Sequence, residues 1–175
     1  MTNSSDQELV QLCLNGENRA FDILVERYKV QMHRTACGIV NNVDLAKDIT
    51  QNGFIKAWQK LNTYNSEYKF YSWLYRIIVN ESLNQIRSQK ELKSFSDLYP
   101  SGSTPYKTFI KKEESRLLAE SIGSLPVIYK TVIHLRHFEE LSYKDISEVL
   151  NIDVNTVKSR LYTARMQLRE KLYNR

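Results

Sequence analysis

Apolar side chains recur at intervals of three and four residues along most of this chain, a spacing that lines one face of a helix rather than one face of a strand. Leu9, Val10, Cys13 and Leu14 form the first group, which closes at Gly16. Phe21, Leu24, Val25, Tyr28, Met32, Ala36, Ile39 and Val40 form the second, before Asn41 and Asn42 break it. A third helix is expected to start at Asp44, a suitable N-cap, and to run through Ile49, Phe54, Ala57 and Trp58 to Leu61. A fourth, over 70–87, carries Trp73, Leu74, Ile77 and Ile78 on its inner side. With only 5 glycines and 3 prolines in 175 residues, few positions force a helix to stop, and the expected class is all-α.

The periodicity lapses between 88 and 112, where Ser94, Ser96, Pro100, Ser101, Gly102, Ser103, Thr104 and Pro105 give the composition of a linker. Two small helical domains are therefore expected, a four-helix unit over 1–90 and a second unit over 113–175, joined by a flexible tether over 91–112. Phe95, Leu98, Tyr99 and Phe109 give that tether some apolar character. Beyond it, 113–122 reads as a helix ended by Gly123 at C′, and Ser124-Leu125-Pro126 opens another with proline in its first turn.

Several chemistries find no support in the residues. Cys13 and Cys37 stand far apart, in none of the close Cys/His spacings that zinc requires, and read as buried thiols of a reducing compartment. His134 and His137 lie one helical turn apart without an accompanying carboxylate or thiol motif, so no metal and no cofactor is expected. No nucleophile and base set or phosphate-cradling glycine loop is visible, so the chain is not expected to be an enzyme. The first residues lack a basic segment followed by an apolar stretch, and no run of apolar residues is long enough to span a bilayer; a cytoplasmic protein without membrane insertion is expected.

The segment 141–172 is the most informative. Ser142 and Asp145 fit a capping box, Ile146, Val149 and Leu150 supply the apolar side of a short helix, and Asn151 tolerates the left-handed conformation of a tight turn. Asp153 then caps a longer helix with Val157, Leu161, Ala164, Leu168 and Leu172 along its seam, which is the order of a helix-turn-helix. Over the last 22 residues Lys158, Arg160, Arg165, Arg169, Lys171 and Arg175 face only Glu170, an excess that equals the net charge of +5 on the whole chain. Asn155, Thr156, Ser159, Tyr162 and Thr163 place donors, acceptors and a ring where a recognition helix meets base edges in the major groove.

Leu-Ser-Tyr-Lys-Asp-Ile at 141–146, followed by Val-Asn-Thr-Val-Lys-Ser-Arg-Leu-Tyr-Thr-Ala-Arg at 154–165, resembles region four of the extracytoplasmic-function (ECF) group of bacterial sigma-70 factors. The resemblance implies recognition of the promoter's minus-thirty-five element. Lys158, Ser159, Tyr162 and Thr163 fall at or beside base-reading positions, and Arg136, Arg160 and Arg165 at phosphate or packing positions. Asn155 and Thr163 depart from the usual pattern.

The stretch 46–58, Ala-Lys-Asp-Ile-Thr-Gln-Asn-Gly-Phe-Ile-Lys-Ala-Trp, is similar to the region-two segment by which such factors grip the β′ clamp helices of RNA polymerase. Asp48, Gln51, Phe54, Ile55 and Trp58 are the expected docking residues, with core filling the competing role for Phe54 and Trp58. Residues 70–80 are similar to the family's minus-ten-reading helix, and 62–69 correspond to the loop that captures a flipped base. By that likeness Tyr64, Asn65, Tyr68 and Lys69 line a pocket, while Tyr71, Arg76, Asn80, Asn84 and Arg87 belong to the surface that follows the strand.

What the resemblance implies is an RNA polymerase sigma factor, with the polymerase core (its β′ and β subunits) and promoter DNA as partners, and it also admits an anti-sigma factor. The competing reading is a helix-turn-helix regulator that does not engage polymerase as a subunit, and a dimerisation seam or ligand pocket in place of the aromatic loop would mark it.

Overall fold

The computed structural model describes residues 4–95 and 113–173, and among these all regular structure is helical. The elements are α1 (Asp6–Leu14), α2 (Arg19–Val40), α3 (Val43–Gln59), a 3-10 turn at Leu61–Thr63, α4 (Phe70–Phe95), α5 (Glu113–Gly123), α6 (Val127–His137), α7 (Tyr143–Leu150) and α8 (Val154–Tyr173).

The helix ends follow from local chemistry. Ser5 and Glu8 close a capping box at the start of α1, the serine hydroxyl accepting the Glu8 N–H and the Glu8 carboxylate accepting the Ser5 N–H at 2.7 Å. Asn41 stops α2 in the left-handed region at φ 56°. Asn42 rather than Asp44 caps α3, because its Oδ1 accepts the Leu45 N–H at 2.9 Å; Asp44 instead lies in the first turn, where its charge suits the helix dipole. α4 continues to Phe95, past the expected end at 87 and across the boundary placed at 90. Its extra turns are Ser-Gln-Lys-Glu-Leu-Lys-Ser-Phe, mostly good helix formers with no glycine or proline to stop them. Pro126 occupies the N-cap of α6, one position earlier than expected. Residues 96–112, on which the expected tether falls, lie outside the described residues.

α2 is the hub, packing on α1, α3 and α4 and also on α6 of the second unit. Leu9, Leu24, Met32, Ile39, Ile49, Leu74 and Ile78 are fully enclosed, each stabilising the fold by roughly 1.5–3 kcal/mol relative to exposure. Gly53 lies where α3 meets α4, and a Cβ there would come within 2.2 Å of the Ile78 Cδ1. Close helix approach explains a glycine inside α3 in spite of its poor propensity.

In the second unit Leu135, Ile146, Val149, Val157, Leu161 and Ala164 are buried. These residues are continuous with those of the first unit in one apolar cluster. Contact between α4 and α7, and between α2 and α6, makes the junction.

Candidate nucleic-acid and polymerase interface

α7, its turn and α8 form the helix-turn-helix with the expected local devices. The Ser142 hydroxyl accepts the Asp145 N–H at 3.1 Å, and the Asp145 carboxylate accepts the Ser142 N–H at 3.2 Å. Asn151 turns the chain at φ 52°, and Asp153 Oδ1 accepts the Thr156 N–H at 2.8 Å to start α8. With Val157, Leu161 and Ala164 turned inward, Asn155, Lys158, Ser159 and Tyr162 share the outer face at helical spacing. Tyr162 is 68% exposed, far beyond what packing demands of a tyrosine. Thr156, Arg160 and Thr163 are half-buried at the edges of that face, and the Thr156 hydroxyl is already bonded to Asp153. Arg165 is exposed, with its guanidinium 3.4 Å from His137 Nε2. Arg136 takes the packing side of its expected role: it donates to the Leu141 carbonyl at 2.8 Å and lies over the Tyr143 ring, bracing the loop before α7.

On α3 the expected docking stripe divides. Asp48 and Gln51 are exposed, Ile55 is 47% and Trp58 40% exposed, and the Trp58 ring meets Phe21 edge-on at 5.0 Å. Phe54 does not belong to that outer edge. It is buried beside Ala57 and Leu61 in the run of α3 core positions, where helical spacing carries it inward.

The aromatic loop before α4 also divides. Tyr64 packs against Phe70 and Trp73 and donates its hydroxyl to the Tyr68 carbonyl at 2.6 Å, so it braces the loop instead of offering a ring. Asn65 is exposed and its side chain both accepts the Glu67 N–H and donates to the Glu67 carboxylate, fixing the turn. Tyr68, 51% exposed, presents its ring outward. Asn80, Asn84 and Arg87 are exposed along α4.

Three residues of the same surface are engaged by the second unit. Lys69 Nζ donates to the Tyr71 hydroxyl at 2.9 Å and reaches Asp145 at 3.3 Å, and Tyr71 donates to Asp145 at 3.1 Å. Arg76 donates through Nε to the Glu148 carbonyl at 3.0 Å. The tyrosine and the aspartate both hold the Lys69 ammonium in its charged form, raising its pKa.

The firmest contact across the junction was not legible as a site. Glu139, its side chain 1% exposed, receives both Arg34 Nε and Nη2 at 2.7 Å in a bidentate pair and the Tyr75 hydroxyl at 2.8 Å. His134 Nε2 stands 3.2 Å away, at an angle too poor for a full hydrogen bond. Gly38 makes room for that imidazole: a Cβ on it would fall 2.1 Å from His134 Nδ1. A glycine in the last turn of α2 was the one sequence signal that a close approach occurs there.

Burial alone would push the Glu139 carboxyl up, and the groups of Arg34, His134 and Tyr75 overcome that and hold it at about 2. Its folded pKa lies below the ordinary carboxylate value, so its contribution is complete above roughly pH 4.5 and fades as the pH falls toward 2. Glu139→Gln is accordingly expected to lower the melting temperature clearly at pH 6, with the difference from the unaltered chain shrinking toward pH 3. A difference constant across that range would show that the charge is not what the site holds.

Comparison with known proteins fits this geometry. The family profile described as Sigma-70 region 2 matches residues 24–91, and that described as Sigma-70, region 4 matches residues 115–168. The chain belongs to the sigma-70 family. An ECF RNA polymerase sigma-E factor of Haemophilus influenzae is 34% identical over 96% of this chain and 95% of its own. The ECF RNA polymerase sigma factor SigW of Bacillus subtilis is also 34% identical, over 90% and 91%. In fold, the chain is similar to CnrH solved with the cytosolic domain of CnrY, at TM-score 0.72 and 24% identity over 97% of both chains. It is likewise similar to the sigma factor RpoE of Bartonella quintana solved with the anti-sigma factor NepR, at TM-score 0.76 and 22% identity over 87% of this chain and 96% of that one. The protein is thus an ECF-type RNA polymerase sigma factor, which acts in transcription initiation.

Proposed function

We propose that this sigma factor divides its work among three surfaces. Asp48, Gln51, Ile55 and Trp58 on α3 dock on the polymerase core. Tyr68 and the exposed row Asn80, Asn84 and Arg87, with Lys69, Tyr71 and Arg76, receive the unpaired minus-ten strand, and Asn155, Lys158, Ser159 and Tyr162 on α8 read the minus-thirty-five duplex. The observation that carries this reading is the outer face of α8, which is polar, basic and aromatic, unused by the fold, and set on a helix capped at both sides of a tight turn.

Energetics supports a division of labour with polymerase. Extruding a base costs a few kcal/mol, and stacking it on one ring such as Tyr68 returns roughly 1–3 kcal/mol. The sigma factor by itself gains little from melting DNA, so the polymerase supplies the remainder and the chain has no catalytic step of its own. It works in the cytoplasm with that enzyme, and the complexes in which its structural neighbours were solved favour an anti-sigma factor as a further partner.

Run-off transcription with core polymerase and a genomic promoter library tests the assignment. Lys158→Ala should reduce promoter-specific transcripts at least fivefold, and Tyr68→Ala should do so at the melting step, with closed-complex formation retained. Transcripts unchanged by both substitutions would overturn it.

A further inference from the structure

Two nitrogen-bearing side chains meet at the edge of the helix-turn-helix with no acid to balance them. Arg165 of α8 directs Nη2 at Nε2 of His137, the last residue of α6, at 3.4 Å, and both residues are exposed. An arginine can only donate, so the neutral imidazole is the acceptor and carries its own proton on Nδ1. Neither residue forms an ion pair with a carboxylate among the described residues. An anion set between them would give both a stronger partner than they give each other.

The position of the pair selects the anion. Arg165 follows Lys158 by seven residues and Tyr162 by three, so it continues the outer face of α8 about 10 Å beyond Lys158. The major groove of B-DNA is about 12 Å wide. With Lys158, Ser159 and Tyr162 turned to base edges, Arg165 and His137 arrive at the wall of the groove, where the phosphates run.

We propose that His137 and Arg165 together grip one backbone phosphate of the minus-thirty-five duplex, and that His137 takes up one proton from solvent on Nε2 as they do so. That proton fills the lone pair that accepts from Arg165 in the free chain, and the two groups become two donors to phosphate oxygen. This rests on the reading that α8 binds duplex DNA, and brings α6 into that contact.

Partial burial, and then the charges of Arg165 and Arg136, hold the free imidazole below its ordinary pKa, so it is neutral at pH 7 and above. Of the other elements packed on α6, α2 brings Arg34, paired with Glu139, and α7 brings Asp145, held by Ser142, Lys69 and Tyr71. The charges acting on His137 remain those of the two arginines. A phosphate beside the ring favours its charged form, as does its place at the C-terminus of α6. The complex thus holds more protons than the free chain, and duplex affinity rises as the pH falls from 8 toward 6.

Fluorescence anisotropy of the full chain, with a labelled duplex carrying the upstream element of a promoter returned by the run-off library, reads this over that range. The unaltered chain should tighten at least about fivefold, and His137→Gln less than about twofold. Replacing the duplex phosphates one at a time by neutral methylphosphonates should find one whose loss removes the gain from the unaltered chain.

An equal pH response in His137→Gln overturns the proposal, because the proton then goes to another group. A gain that no single methylphosphonate removes overturns it as well; if inorganic phosphate alone then raises the pH at which His137 titrates, the pair holds a free anion and not DNA. Duplex affinity unchanged by Lys158→Ala at every pH shows that α8 is not the duplex surface, and the proposal falls with that reading. Should His137→Gln lose helix content, the methylphosphonate series on the unaltered chain decides by itself.

Discussion

Leu161→Ala is expected to destabilise the sigma factor by roughly 2–5 kcal/mol, the range for truncating an enclosed leucine to alanine. Leu161 is 1% exposed and lies midway along the α8 seam between Val157 and Ala164, both fully buried. The melting temperature should fall by about 10 °C, taking roughly 3 kcal/mol at a few degrees per kcal/mol for a chain of this size. Because the two units share one apolar cluster, thermal unfolding should remain a single transition. Two transitions, with the higher one unshifted, would show that the junction contributes little to stability. Binding to duplex promoter DNA should weaken in parallel, since the reading face of α8 depends on its docking.

Which parts of this were legible in the sequence follows from how far apart the responsible residues lie. Ser142 with Asp145, Asn151 and Asp153 act within a turn or two of themselves, and their roles could be read directly from spacing. The inward seam of α8 was equally plain, because 3.6-residue periodicity needs no partner to be seen. The start of α3 was displaced by competition among neighbouring side chains: Asn42 and Asp44 are both capping residues, and Asn42 makes the bond. The end of α4 was hidden by its serines, which are as common in linkers as they are tolerable in a helix.

The charged contacts of the junction could not be read. Arg34 and Glu139 are 105 positions apart, Tyr75 and Glu139 are 64 apart, and neither pair carries a pattern that announces the contact. Burial of Glu139 even runs against the ordinary expectation for a glutamate, and becomes favourable only with the bidentate arginine and the phenol in place. A reading that begins from helices and their faces therefore yields two tethered units. The charged cluster between them adds to the apolar contact that joins those units.

Trp58→Ala is the other change expected to have a large consequence, a loss of affinity for core polymerase of about 30-fold. An exposed tryptophan flanked by an exposed Ile55, with Asp48 and Gln51 on the same side of α3, has the make-up of a binding centre in which one aromatic anchor carries most of the energy. Truncation of such an anchor typically costs about 2 kcal/mol, which converts to that factor. Trp58 also leans edge-on against Phe21, so a stability effect has to be distinguished from a docking effect. Edge-to-face pairs contribute only about 0.5–1.5 kcal/mol, and α3 keeps Ala46, Ile49, Phe54 and Ala57 in the core, so the fold should survive with a modest fall in melting temperature. Competition with a labelled second sigma factor for core polymerase measures the loss directly, with Phe21→Leu as the comparison. If docking runs through the Trp58 face, Trp58→Ala loses the competition while Phe21→Leu, with its ring contact gone but the indole still presented, holds most of it. Equal loss in both would mean that the indole matters to the packing of α2 on α3 and that polymerase is held elsewhere.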